Sequence, residues 1–129
     1  MDWKQSYSDI CAELSILHLH ELELRKRWEK ARQAMDEHVL PLDKALEYYN
    51  RAAEILTAHV EECERVEAIK REMESHMEQF TNKADVILSK QMQGYGLKEI
   101  SAMTGYSYGY VRQMAAKYNK ERTDNAKIS

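Results

Sequence analysis

The sequence is short of chain-turning residues: 129 positions hold four glycines and one proline. Sandwiches and barrels of this size need many turns, and turns draw on Gly and Pro. That excludes an all-β fold and leaves an all-α fold as the expectation. Cysteine is scarce too. Cys11 and Cys63 stand alone with no CxxC spacing, so neither a disulfide framework nor a zinc site is implied, and a reduced, cytoplasmic protein is expected. No run of about 18 apolar residues occurs, so no membrane span and no membrane partner are expected. The opening MDWKQSYSDI lacks an apolar stretch, so no secretory signal is expected either.

What is present fits a folded helical chain: 43% hydrophobic and 32% charged residues, with a net charge of −3. Taken whole, that charge speaks against a nucleic-acid binder. Its distribution speaks otherwise. Residues 81–129 hold eight Lys/Arg against four Asp/Glu, whereas residues 1–80 hold 11 against 18. A basic module is joined to an acidic stalk.

The helix breakers divide the chain in the same place. Residues 1–40 contain no Gly or Pro, Pro41 is the only break before Gly94, and all four glycines fall in the last third. The first segment carries a seam with alternating spacings of four and three: Trp3, Tyr7, Ile10, Leu14, Leu17, Glu21, Leu24, Trp28, Ala31, Met35. That period puts them on one stripe, as in a coiled coil. Only Glu21 is charged; it either sets register or lies where the helices open. Pro41 suits the first turn of a second helix starting near Leu42, with Asp43 complementing the positive helix end. Its seam reads Leu42, Leu46, Tyr49, Ala53, Leu56, Val60, Cys63, then Val66, Ile69, Met73, Met77, Phe80. Successive spacings of three between Val60 and Ile69 predict a stammer and a bend or change of neighbours there.

The short connection at Pro41 predicts an antiparallel coiled-coil hairpin over residues 1–80, in which residue i faces about 82 − i. Cys11 and Cys63 then lie too far apart to bridge. A lone hairpin cannot close a core, so pairing of two copies into a four-helix arrangement is expected. Trp3, Tyr7, Ile10, Leu14, Leu17, Leu24, Trp28, Leu46, Tyr49, Leu56 and Val60 are the candidate hairpin or dimer seam.

Residues 81–122 read differently. A short helix over 84–93 precedes the turn Gly94-Tyr95-Gly96; a second covers 97–104; Ser107 is placed to cap a third running to about Lys120. Ile100 should point inward, Ser101 is small enough for a close helix crossing, and Gly105 allows the positive φ of a tight turn. Tyr106, Val111 and Met114 fill the remaining inward positions. The outward face of the last helix is Ser107, Tyr108, Gly109, Arg112, Gln113 and Ala116. Arg112 and Gln113 are candidate base contacts, since Arg suits guanine and Gln suits adenine. Lys98, Lys117 and Lys120 suit phosphates. Residues 123–129 form a polar tail.

The stretch GYGLKEISAMTGYSYGYVRQM resembles the region-four helix-turn-helix of bacterial sigma factors and the sigma-like regulators of phages and mobile elements. The resemblance rests on Leu97-Lys98-Glu99-Ile100-Ser101, on Gly105-Tyr106-Ser107, on Gly109 and on Val111-Arg112, and it covers about 40 residues. It implies a regulator with one recognition module, because residues 1–80 show no sign of a promoter-melting region. It also implies that Ser107, Tyr108, Arg112 and Gln113 read the DNA.

The other residue classes have plainer readings. Tyr106, Tyr110 and Tyr118 are expected in the small core, and Tyr108 on DNA. The histidines His18, His20, His38, His59 and His76 form no metal motif, so no metal or other cofactor is expected. Arg25-Lys26-Arg27, Lys30 and Arg32 read as a solvated face with ordinary ion pairs. Met73, Met77, Met103 and Met114 read as core filling. No glycine-rich phosphate loop, nucleophile elbow or paired acids appear, so no catalytic residue and no enzyme is expected.

The leading expectation is a homodimeric, sequence-specific regulator of double-stranded DNA. One alternative is a DNA-packaging recognition subunit resembling phage small terminases, which join the same two parts, usually in the opposite order, and assemble as rings. Another is an adaptor whose acidic hairpin binds RNA polymerase or another helical partner.

Overall fold

The structure, a computed structural model, describes residues 2–128, with side chains through Lys120. Among the described residues five helices follow one another: α1 (Trp3–Asp36), α2 (Leu42–Met77), α3 (Lys83–Met92), α4 (Leu97–Thr104) and α5 (Tyr108–Ile128). No strand occurs among the described residues. Among the described residues no helix is long and apolar enough to cross a membrane. The chain forms two compact units, Met1–Glu72 and Met73–Ser129. The division falls ahead of residue 80, where the sequence placed it. Met77 is buried, and Glu78 pairs with Lys90 of α3 at 3.2 Å, which ties these residues to the second unit.

In the first unit, α1 starts on Asp2, whose carboxylate accepts the Lys4 N–H at 3.2 Å. Every residue of its proposed seam is buried or half-buried, with Tyr7, Leu14 and Ala31 deepest. Contacts with α2 run in opposite directions along the two helices. The Trp28 ring lies 6.0 Å from that of Tyr49 and the His20 ring 6.1 Å from that of His59. His59 Nε2 donates to the Leu17 carbonyl at 2.6 Å, and His18 Nε2 to Glu67 at 3.1 Å.

The α2 seam differs from the expected one. Leu42 is 69% exposed and Leu46 45%, while Ala45 is buried at 1%. Within the first unit the covered positions are Ala45, Tyr49, Ala52, Leu56, His59, Cys63, Val66 and Lys70. Their spacing alternates four and three without interruption, so the sequence pattern contains no stammer. The apparent break arose from following Val60 and Ile69, which are larger and more apolar than His59 and Lys70. Ile69 is 48% exposed, whereas Ala53 and Val60 flank the true seam half-buried. Leu46 therefore leaves the set of residues that α1 covers.

Glu21 keeps its seam position by bonding along its own helix: Arg25 Nε donates to Glu21 Oε2 at 3.3 Å. Arg32 rests 6.0 Å over the Trp28 ring. Both cysteines are free. Burial, then the nearby carboxylates of Glu21 and Glu67, push the Cys63 thiol above its ordinary value. Cys63 is expected to react with a maleimide at least about tenfold more slowly than half-buried Cys11, as mass spectrometry of quenched time points would show. Equal rates would sink this. The neutral thiol is the form the fold favours. Its contribution is therefore fully present below the unfolded thiol pKa and is lost as pH rises through the raised folded value.

α1 ends without glycine. His38 takes φ 52°, its N–H reaching the Met35 carbonyl at 3.4 Å and the Val39 N–H reaching Ala34 at 3.4 Å. This is a Schellman ending with a left-handed histidine. α3 ends the same way with the usual residue: Gly94 has φ 101°, and Tyr95 N–H bonds the Lys90 carbonyl at 3.1 Å. Since a side chain costs about 1–2 kcal/mol in the left-handed region, His38→Gly is expected to stabilise the protein by up to about 1 kcal/mol. A denaturant midpoint unchanged or lowered would contradict this.

In the second unit, α5 packs on α3 and α4, and α3 packs on α4. Ile87, Ile100 and Val111 are fully buried where the three helices meet, with Leu97, Tyr106, Tyr110 and Met114 packed around them. α5 continues past Lys120 to Ile128, where the sequence reading placed a polar tail. No Gly or Pro follows Gly109 to stop it. The side chains of residues 121–129, Arg122 and Lys127 among them, lie outside the described residues.

Candidate nucleic-acid interface

The turn between α4 and α5 fixes the outward face of α5. Gly105 adopts φ 79° and its N–H bonds the Ser101 carbonyl at 3.0 Å, which closes α4. The Ser101 hydroxyl donates to the Tyr106 carbonyl at 2.6 Å. Its small size was legible in the sequence; this bond was not. Thr104 adds a second staple, its hydroxyl donating to the Ile100 carbonyl at 2.7 Å and accepting the Tyr106 N–H at 3.3 Å. Ser107 then caps α5: its hydroxyl accepts the Tyr110 N–H at 3.2 Å, the N-cap role expected for it.

From this start, α5 has two clean sides. Tyr110, Val111, Met114, Ala115 and Tyr118 are buried or half-buried. Tyr108, Gly109, Arg112, Gln113, Ala116, Lys117 and Lys120 are exposed. At about 100° per residue the exposed set covers roughly half the helix circumference. All four candidate base-contact residues, Ser107, Tyr108, Arg112 and Gln113, lie on or at the start of this face. Lys117 and Lys120 lie further along it. Lys98 is exposed on α4.

Charge on the face has one sign. Arg112, Lys117 and Lys120 carry it, and no acid lies in the first turn of α5, whereas α2, α3 and α4 have Asp43, Asp85 and Glu99 there. Among the described residues the ion pairs are His18–Glu67, Arg25–Glu21, Arg65–Glu62 and Lys90–Glu78. None engages Lys98, Arg112 or Lys117, so those cations are available to an anionic partner.

Two aromatic–cation contacts went unseen in the sequence. Lys83 Nζ lies 5.6 Å from the Tyr106 ring centroid, and Lys90 Nζ 5.8 Å from that of Tyr95. Lys83 comes from 23 residues upstream of Tyr106, and Lys90 reaches Tyr95 across the turn that ends α3, so no helical spacing signals either contact. Tyr106 and Tyr110 meet edge to face at 6.0 Å inside the core, as expected for two of the three core tyrosines. Met103 departs from expectation. It is 50% exposed, because α4 turns Leu97, Ile100, Ser101 and Thr104 inward and Met103 falls beyond that arc. Among the described residues no three His, Cys, Asp or Glu side chains are grouped so that they could hold a metal ion.

Compared with protein-family models, with curated proteins and with solved structures, the chain matches none.

Proposed function

We propose that the protein is a sequence-specific DNA-binding transcriptional regulator of the sigma-like kind carried by phages and mobile elements. In this reading residues 1–80 form a coiled-coil hairpin that dimerises in the cytoplasm, and residues 81–122 form a helix-turn-helix. α5 enters the major groove, with Ser107, Tyr108, Arg112 and Gln113 at base edges and Lys98, Lys117 and Lys120 on phosphates. The observation that carries the reading is the exposed cationic side of α5, free of ion pairs among the described residues and set by the Gly105 turn and the Ser107 cap. RNA polymerase is a further partner compatible with this role.

Selection from random duplexes followed by footprinting tests the proposal. The expected result is an enriched palindrome with two protected half-sites spaced by a dimer. Absence of any enriched sequence would overturn it. A ring of eight or more chains on DNA, about the size terminase-like packaging subunits adopt, would reassign the same module to packaging.

A further inference from the structure

One flank of the α1–α2 pair carries a groove of about 180 Å³ between Leu24 and Arg27 of α1 and Tyr48, Arg51, Ala52 and Ile55 of α2. Its apolar walls reach solvent: Tyr48 is 44% exposed and Ile55 47%. Ile16, 55% exposed, lies on the same side of α1 as Arg27, since the interval between them is about three whole turns. About half of each of these apolar side chains is left in solvent, which costs solubility and marks a surface made to be covered.

Charge along the flank identifies what covers it. Toward the α1–α2 turn the flank is mainly basic, with exposed Arg27, Lys30, Arg51 and Lys44 against one acid, Glu23; away from the turn it is acidic, with exposed Asp9 and Glu13. Glu62 lies at that acidic end too, paired with Arg65. Glu13, His20 and Arg27 recur at the heptad interval, so they share one stripe of α1. Two copies laid side by side in the same direction would set Arg27 against Arg27 and Glu13 against Glu13. Two copies in opposite directions about a two-fold axis at His20 set Arg27 against Glu13 twice, with Ile16, Leu24 and Ile55 between. A surface complementary to its own inverse is the signature of an isologous pair.

We infer that the Leu24–Ile55 groove is the dimer interface and that it takes a second copy of this chain, antiparallel, with the two-fold axis at His20. The inference rests on the homodimer reading above and adds its face and its direction.

Sedimentation equilibrium of the full chain tests it, with circular dichroism to verify helicity. Ile55→Glu is expected to weaken self-association on the order of tenfold or more. Arg27→Glu and Glu13→Arg are each expected to weaken it to a similar degree, on the order of tenfold, and the double variant to return to within about threefold of the parent. In a Cys11→Ser background, His20→Cys should give a covalent dimer under mild oxidation. A double variant no better than its single parents, or an Ile55→Glu chain that pairs normally, would overturn the assignment of face and direction while leaving a dimer in place. A monomeric parent chain would overturn the homodimer reading and this inference together.

Discussion

Replacing Ile100 by Ala is expected to cost the second unit about 2–5 kcal/mol, enough to leave much of it unfolded. Ile100 has no exposed surface and meets Ile87 and Val111 where α3, α4 and α5 converge. The unit is small, and domains hold roughly 0.05–0.15 kcal/mol per residue, so it has only a few kcal/mol to lose. The gap could not be refilled cheaply. The partners around it, Leu97, Tyr106, Tyr110 and Met114, are held on α4, the α4–α5 turn and α5 and cannot close in together. Met103 stands one turn along the same helix and faces outward, so Met103→Ala should move stability by less than about 0.5 kcal/mol. Urea titration followed by circular dichroism separates the two. Equal costs would mean that the inward arc of α4 has been misassigned.

The second large effect concerns DNA. Arg112→Ala is expected to weaken binding to the selected site by about 1–3 kcal/mol and to relax preference at one base pair, if Arg112 forks onto a guanine. Lys98→Ala should act differently. A phosphate contact carries no sequence information, so all duplexes should weaken alike, with the salt dependence shallower by about one counterion. Fluorescence anisotropy against the selected site and a scrambled duplex, at several salt concentrations, distinguishes the two patterns. Unchanged binding by the Arg112 variant would remove α5 as the recognition helix.

Much of this could be read from the chain before any coordinates. α1 was legible throughout because its seam residues are apolar at every position but Glu21, so the period appears in the letters themselves. α2 was harder. Its true seam passes through Ala45, Ala52, His59 and Lys70, while larger aliphatic residues beside it are exposed. Hydrophobicity then points to the neighbour of the buried position, because α2 has apolar residues on two sides and only one faces α1. The exposed side of α5 was legible for the opposite reason. Gly105 and Ser107 fix where the helix starts, and once the start is known the phase follows. The end of α1 was invisible, since histidine in a left-handed turn carries no compositional signal. Thr104 was missed because its bonds depend on the turn geometry, not on a residue pattern.

The core of the second unit bears on how quickly it can form. Ile87, Ile100 and Val111 lie within one short stretch of chain, joined by turns of a few residues. Little loop-closure entropy separates the open chain from the first native contacts, so contact order is low and the folding barrier small. Such a unit can open and reclose many times while the protein is intact. Brief exposure of Ile100 is then a route by which a protease could find the chain, and occupancy of α5 by a ligand would slow degradation without any change in the site of cleavage.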